Sequence, residues 1–514
     1  LNIPLKRWAP RVALSQQELL TIYTMLVIAV CVSGHDFSQA LFCTLGTARW
    51  SATPENDWSN LFWKYLSPHL TVNDDRVLYG FYKGESTLYT RAHIKSWLKP
   101  MMWWTLFLTV VAFTMFCINV IIRKQWIEKE KLTYPLVQLP FEMSREGNGH
   151  HPFFRNKPFW IGFGLSAGVN LINGINYLFP LFPQIPLGHN LSVYFTERPF
   201  SAMDDFSIQF NPFAIGLAFA IPLDLLFSCW FFFLFWKAEQ VVGSMAGINQ
   251  PGYPFAAQQI LGGYLGIAIV ALWLARKPIW QLIKKVVRAR SDEDDSREPM
   301  KYKTAVLGII LGISFLVFFS YQAGMTIRFA LAFFGVYFAI AFAHTRARAE
   351  LGPPMHGIHY FGPFQFFIAA IGSRKLANQT LTAAAPLWTF TKQFRNHPMP
   401  YILESFKLAD RAGMDTRKLG RVIMLSVVVS LILTFWIFLQ FSYKWGGISE
   451  GRGIEAYTTI ARWLVRPVEP DMQSLGAIAV GAFFVFTNTT LRLRLLWWPL
   501  HPLAYPIAGY AAFR

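Results

Sequence analysis

Recurring windows of about 20 apolar residues, almost free of charge, constrain this chain more than any other feature. MMWWTLFLTVVAFTMFCINVII and VIMLSVVVSLILTFWIFLQF are two of them. Each is long enough to cross a hydrocarbon core as a helix. Composition agrees: 54% of the residues are hydrophobic and only 15% charged, where soluble domains carry about 25% charged residues. The 48 Phe suit lipid-facing surface and the 19 Trp suit the two interfaces. The chain therefore reads as an all-α, polytopic transmembrane helical bundle whose first partner is a lipid bilayer.

The formal net charge is +18. Lys and Arg concentrate in the loops between apolar runs, as the positive-inside rule requires, so no nucleic-acid partner is expected. Cys31, Cys43, Cys117 and Cys229 all fall in apolar runs without Cys-x-x-Cys spacing, and read as small buried residues. His356 and His359, three apart between Gly and Pro, lack a third ligand nearby, so no metal is expected. No nucleophile elbow, phosphate loop or HExxH appears. The chain is not expected to be an enzyme or to hold a cofactor.

Ser15 and Glu18 form a capping box ahead of the first apolar run, and Lys6, Arg7 and Arg11 precede it. Residues 1–17 read as a cytoplasmic lead, and the N-terminus as inside. Spans are expected at 18–45, 101–122, 158–179 and 210–236, with an outer loop at 46–100 and a Pro-rich outer stretch at 180–208. A simple span at 258–275 would then put 276–303, the most basic loop, outside. A re-entrant or broken pair within 240–275 repairs the parity, and Gly243, Gly247, Pro251, Gly252 and Pro254 lie where the break would fall. The cheaper alternative is one miscounted span. Further spans are expected at 304–322, 325–344, 421–442 and 473–491, with 374–420 cytoplasmic and PFQFFIAAIG at 363–372 too short to cross. This divides the chain into an N-terminal bundle (18–275), a basic cytoplasmic loop (276–303) and a C-terminal bundle (304–514) that ends within an apolar stretch, as if cut.

QWIEKEKLTYPLVQLPFE, at 125–142, closes the second span. Its charges form an interfacial collar, and Pro135 and Pro140 are expected to break the helix.

Three places carry candidate pathway or proton-coupling residues. Asn170, Asn173 and Asn176 recur along one side of the third span, either lining a pathway or making amide bonds between close-packed helices. Asp224 sits inside IPLDLLF, midway along the expected fourth span, where a carboxylate is costly and is functional or paired. His35 and Asp36 interrupt the first span, either as a proton relay or as the helix end near the outer interface. Glu350 beside Arg346 and Arg348 reads as a paired interfacial charge.

WIEKEKLTYPLVQLPFEM (126–143), FNPFAIGLAFAIPLDLLFSCWFFFLFWK (210–237), RARAELGPP (346–354), WWPLHPLAY (497–505) and ATPENDW (52–58) carry a resemblance over nearly the whole chain. They resemble an uncharacterised prokaryotic family of polytopic membrane proteins that look like distant relatives of the oligopeptide transporter superfamily. The resemblance implies an oligopeptide-transporter-like fold with helices and hairpins around a central pathway, in a prokaryotic inner membrane. It also implies proton-coupled secondary transport of small peptides or metal chelates. The competing expectation is a non-transporting membrane scaffold or assembly subunit, with a homo-oligomer or a partner membrane subunit. A water-accessible cavity containing Asp224 separates the two.

Overall fold

The computed structural model describes residues 8, 11–145, 152–203, 205–287, 295, 297–352, 357–358, 361–447 and 450–509. Eight helical stretches among them are long and apolar enough to cross a bilayer. The protein is an integral membrane, helical protein.

The first stretch is α1 (Gln16–Val32), a π-turn at His35–Gln39, and α2 (Ala40–Trp50). Its start is the expected capping box: the Ser15 hydroxyl accepts from the Glu18 N–H, and the Ser15 N–H donates back to Glu18 at 2.8 Å. The side on which α1 begins is called the N-side here, and the side on which α2 ends the far side. The far side is covered by residues 51–90, including α3 (Asp75–Lys83). Arg49 grips Asp75 through two hydrogen bonds of 2.7 and 3.0 Å, and this guanidinium holds the Asp75 carboxyl below its ordinary range.

The second stretch is α4 (Arg91–Arg123), which continues through a π-turn at Lys124–Lys129. Tyr134 then takes left-handed backbone angles, and α5 (Pro135–Ser144) starts with its proline at the first position. The helix is broken ahead of Pro135, as expected. Pro140, by contrast, lies inside α5 and does not end it.

α6 (Lys157–Leu178) is a single helix of 22 residues where a span is expected at 158–179; it has no buried residue and falls outside the eight long apolar stretches. The chain around and after it corrects two expectations. The single span at 210–236 is interrupted: a short helix at Pro212–Ala218 ends, and α7 (Leu223–Met245) begins anew after Pro222. Pro222 has no N–H to donate, so it suits a helix start and not a helix interior. Finally, 240–275 holds no re-entrant pair. Residues 246–255 form the turn, and α8 (Ala256–Val287) is one continuous helix.

The contacts resolve the parity. Asp224 at the start of α7 pairs with Arg492, and Glu298, beyond the end of α8, pairs with Arg123. Burial pushes the Glu298 carboxyl up, while Arg123 pulls it down. The chain is back on the N-side by Pro222, so α7 and α8 are a plain up-and-down pair. α9 (Tyr302–Gln322) and α10 (Ile327–Leu351) form the next pair, α14 (Thr416–Trp445) rises to the far side, and α16 (Met472–Arg494) returns.

Two further crossings are discontinuous. The chain leaves the N-side at Gly352, against Pro135, and reaches the far side at Gly372, against Val468. In between lies α11 (Pro363–Ile371), only nine residues, or about 13 Å. The return runs through α12 (Asn378–Thr391) and α13 (Pro398–Ala412). α12 begins beside Gly324 on the far side, and α13 ends where Gln17 binds the carbonyls of Ala412 and Gly413. The stretch 374–420 therefore passes through the protein and is not a loop on one side. Its helices are short because Pro398 forces His397 into an extended conformation. α15 (Glu450–Val465) packs across α2 and α12, and the chain closes along α7 with α17 (Ala504–Ala508).

Candidate functional site

Two interrupted crossings meet at the centre of the bundle. Asp36 lies about midway along the Gln16–Trp50 crossing, and residues 392–397 separate α12 from α13. The two breaks touch: a Cβ on Gly34 would stand 2.4 Å from the Asn396 side chain, so glycine is required there. The Cys31 thiol donates to the Asn396 carbonyl at 3.0 Å, and Gln39 donates to the Ser33 carbonyl at 2.9 Å. Backbone groups freed by the breaks are thus satisfied inside the protein, as they must be at membrane depth.

Asp36 is the anion of this centre. Its side chain is 1% exposed and accepts from Arg395 at 2.5 and 3.0 Å and from Arg452 at 3.1 Å. A buried carboxylate gripped by two guanidinium groups is well compensated in a low-dielectric interior. Gln393 and His397 are buried in the same break, and among the described residues their side-chain polar atoms have no hydrogen-bond partner. The expectation of a helix end at His35 and Asp36 near the interface is corrected. A helix end is there, since α1 stops at Val32 and Gly34 is extended, but it lies midway along the crossing, and the π-turn at His35–Gln39 leads straight on into α2.

A second cluster lines an open cavity of about 450 Å³ on the N-side. Arg346 bridges Glu130 and Glu350, the His501 ring lies 3.5 Å from Glu350, and Arg492 holds Asp224. Lys131 and Thr133 complete the wall. Burial lowers the His501 affinity for a proton, while the nearby Glu350 raises it. Asp224 is not at mid-span: it occupies the first turn of α7, with its side chain 39% exposed. A helix N-terminus favours a carboxylate there, since it offers free N–H groups.

The asparagines do not face either cluster. Asn173 exchanges two hydrogen bonds with the Ile185 backbone at 3.0 and 2.9 Å, Asn176 binds the Phe182 carbonyl, and Asn170 is exposed. Two of the three hold the chain that follows α6. His356 and His359 lie outside the described residues. All four cysteines are free and buried. The residues that sequence reasoning missed are Arg395 and Arg452. Arg395 lies three residues ahead of a proline, between the apolar α12 and the amphipathic α13, which is the signal that marks a charged break.

The model of DUF6785, a family of unknown function, matches residues 1–514. The chain belongs to this family. No curated protein matches it. Within a family defined over the whole length of this chain, both the central and the N-side clusters fall inside the matched region.

Proposed function

We propose that this protein is a proton-coupled secondary transporter of the oligopeptide-transporter type, carrying small peptides or metal chelates. The observation that carries the reading is the meeting of two interrupted crossings at the Asp36–Arg395–Arg452 centre. Broken helices at mid-membrane, wrapped in protein, are how transporters build binding sites, and intramembrane charges mark ion and substrate pathways. The N-side cavity containing Asp224 supports the same reading, with the pathway open toward the N-side and covered by residues 51–90 on the other.

The N-side is assigned to the cytoplasm of a prokaryotic inner membrane. Arg276, Lys277, Lys284 and Lys285 at the end of α8, and Arg492 and Arg494 at the end of α16, fall there. A cysteine introduced at Ser291 is expected to resist an impermeant thiol reagent added to intact cells and to react in inverted vesicles. Labelling from outside intact cells removes the assignment.

Uptake of peptide and metal-chelate pools into proteoliposomes, with and without a proton gradient, tests the transport reading. Asp224→Asn keeps size and hydrogen bonding but cannot titrate. It is expected to reduce gradient-driven uptake while leaving exchange of bound substrate largely intact. Full gradient-driven uptake by this variant removes Asp224 from the coupling. A scaffold subunit is the second reading. It is favoured by α6, whose residues are all exposed or half-exposed, leaving a helix for a partner to cover. Absence of uptake from either pool supports it.

A further inference from the structure

The central cluster and the N-side cavity are not isolated from each other. α13 connects them. His397, Tyr401 and Glu404 are spaced four and three residues apart, so they stand on one side of the helix. His397 lies two residues from Arg395, which holds Asp36. One turn further on, Arg348 of α10 stacks over the Tyr401 ring at 3.7 Å and grips Glu404 through bonds of 2.7 and 3.0 Å. Tyr23 of α1 lies beside Tyr401, within reach of the Glu404 and Arg348 charges. Beyond Glu404, Lys407 lies over the Tyr134 ring at 6.0 Å, and the Tyr134 N–H donates to the carbonyl of Ala349, next to Glu350, at 2.8 Å. Arg346, Glu130 and Glu350 line the N-side cavity.

Tyr401 and Glu404 are half-buried, and so is Lys407, one turn further toward the N-side. The positions between them are buried, so the partial exposure along this part of α13 is confined to the side of Tyr401, Glu404 and Lys407. A row of ionisable groups inside a membrane protein is costly to keep and marks proton or ion passage. Each step along α13 is about one helical turn of 5.4 Å, a gap that one bridging water closes.

We propose that this side of α13 is the proton path between the Asp36 centre and the N-side cavity, closed at rest by the Arg348–Glu404 pair. The proposal rests on the carrier reading for its purpose, but not for its geometry. A proton arriving from the cavity is accepted by a Glu404 oxygen once Arg348 swings away. It leaves Glu404 for the His397 ring, with the Tyr401 hydroxyl passing it on. No bond other than O–H and N–H is made or broken. While Arg348 holds both Glu404 oxygens, its positive charge beside the carboxylate disfavours protonation, and passage stops. The pair is thus a plug whose charge is balanced, which is why a cation can sit there at rest.

The experiment needs no substrate, because the probe is the proton itself. Proteoliposomes loaded with the pH dye pyranine, under a potassium diffusion potential set by valinomycin, read proton entry directly. Wild type is expected to stay close to the empty-liposome rate. Arg348→Gln is expected to leak several-fold faster, and adding Glu404→Gln or His397→Phe to it is expected to restore the wild-type rate. Arg348→Lys keeps the charge but loses the two-pronged grip. It is expected to give a smaller leak with the same dependence, and it serves if Arg348→Gln does not purify as a monodisperse protein. Both Arg348 variants tight against protons, or a leak that survives loss of Glu404 and His397, overturns the path. Failure of the carrier reading shows separately, as absent substrate uptake by wild type, and leaves the leak result standing.

Discussion

Asp36→Ala is expected to cost about 3 kcal/mol of stability, because it removes the buried carboxylate that two half-buried guanidinium groups grip. Arg395 and Arg452 both end on this one carboxylate, and its side chain is only 1% exposed. The two breaks also meet here, so the loss frees α12 and α13 from α1 at the centre of the bundle. Thermal unfolding in detergent, followed by size-exclusion chromatography, measures the loss. Uptake is expected to vanish with it. Asp36→Asn separates the charge from the shape: it keeps the size but removes the negative charge that both cations grip, and should destabilise almost as much. Combining it with Arg395→Gln removes one of those cations and is expected to recover part of the loss, a coupling that a double-mutant cycle reads. Wild-type stability of Asp36→Ala would show that these pairs do not hold the centre.

The second large effect is expected at Gly262. A Cβ there would stand 1.9 Å from the Ile478 carbonyl oxygen, and one at Gly481 would stand 1.9 Å from the Gln259 carbonyl oxygen. α8 and α16 therefore cross backbone to backbone, the close approach that small residues allow in membranes. The obstacle is main chain, which cannot step aside as a side chain does. Gly262→Leu is expected to cost about 3 kcal/mol or more, at the upper end of overpacking. A Cβ at Gly476, also on α16, would meet nothing within 4 Å, so Gly476→Leu is the matched control and should be near neutral. Equal unfolding temperatures for the two leucine variants would mean that the helices do not touch at Gly262.

The class of protein was legible in the chain alone. Apolar windows such as 101–122 and 422–441 have no stable alternative to a membrane-crossing helix, since each would expose apolar surface to water. The Ser15–Glu18 box set the start of α1, because capping is local and needs only four residues. The break before Pro135 was legible for the same reason: proline acts on its own turn. The pairing of Glu350 with Arg346 was legible from a spacing of four on one helix.

Where the other breaks fall, and which charges meet, depends on the packed bundle. Pro222 carries the same local signal as Pro251 or Pro254, so the break between 210 and 236 and the turn at 246–255 look alike in sequence. Only the contacts of Asp224 with Arg492 and of Glu298 with Arg123 show that the chain has already returned before α7. Asp36 and Arg395 are 359 residues apart, and Asp36 and Arg452 are 416 apart. No local rule selects one distant cation from the 47 Lys and Arg in the chain. A carboxylate in an apolar run tells that it must be compensated, since an unpaired charge there is too costly to keep. Which side chain compensates it depends on which helices pack together, and that is settled by the shape of the whole bundle.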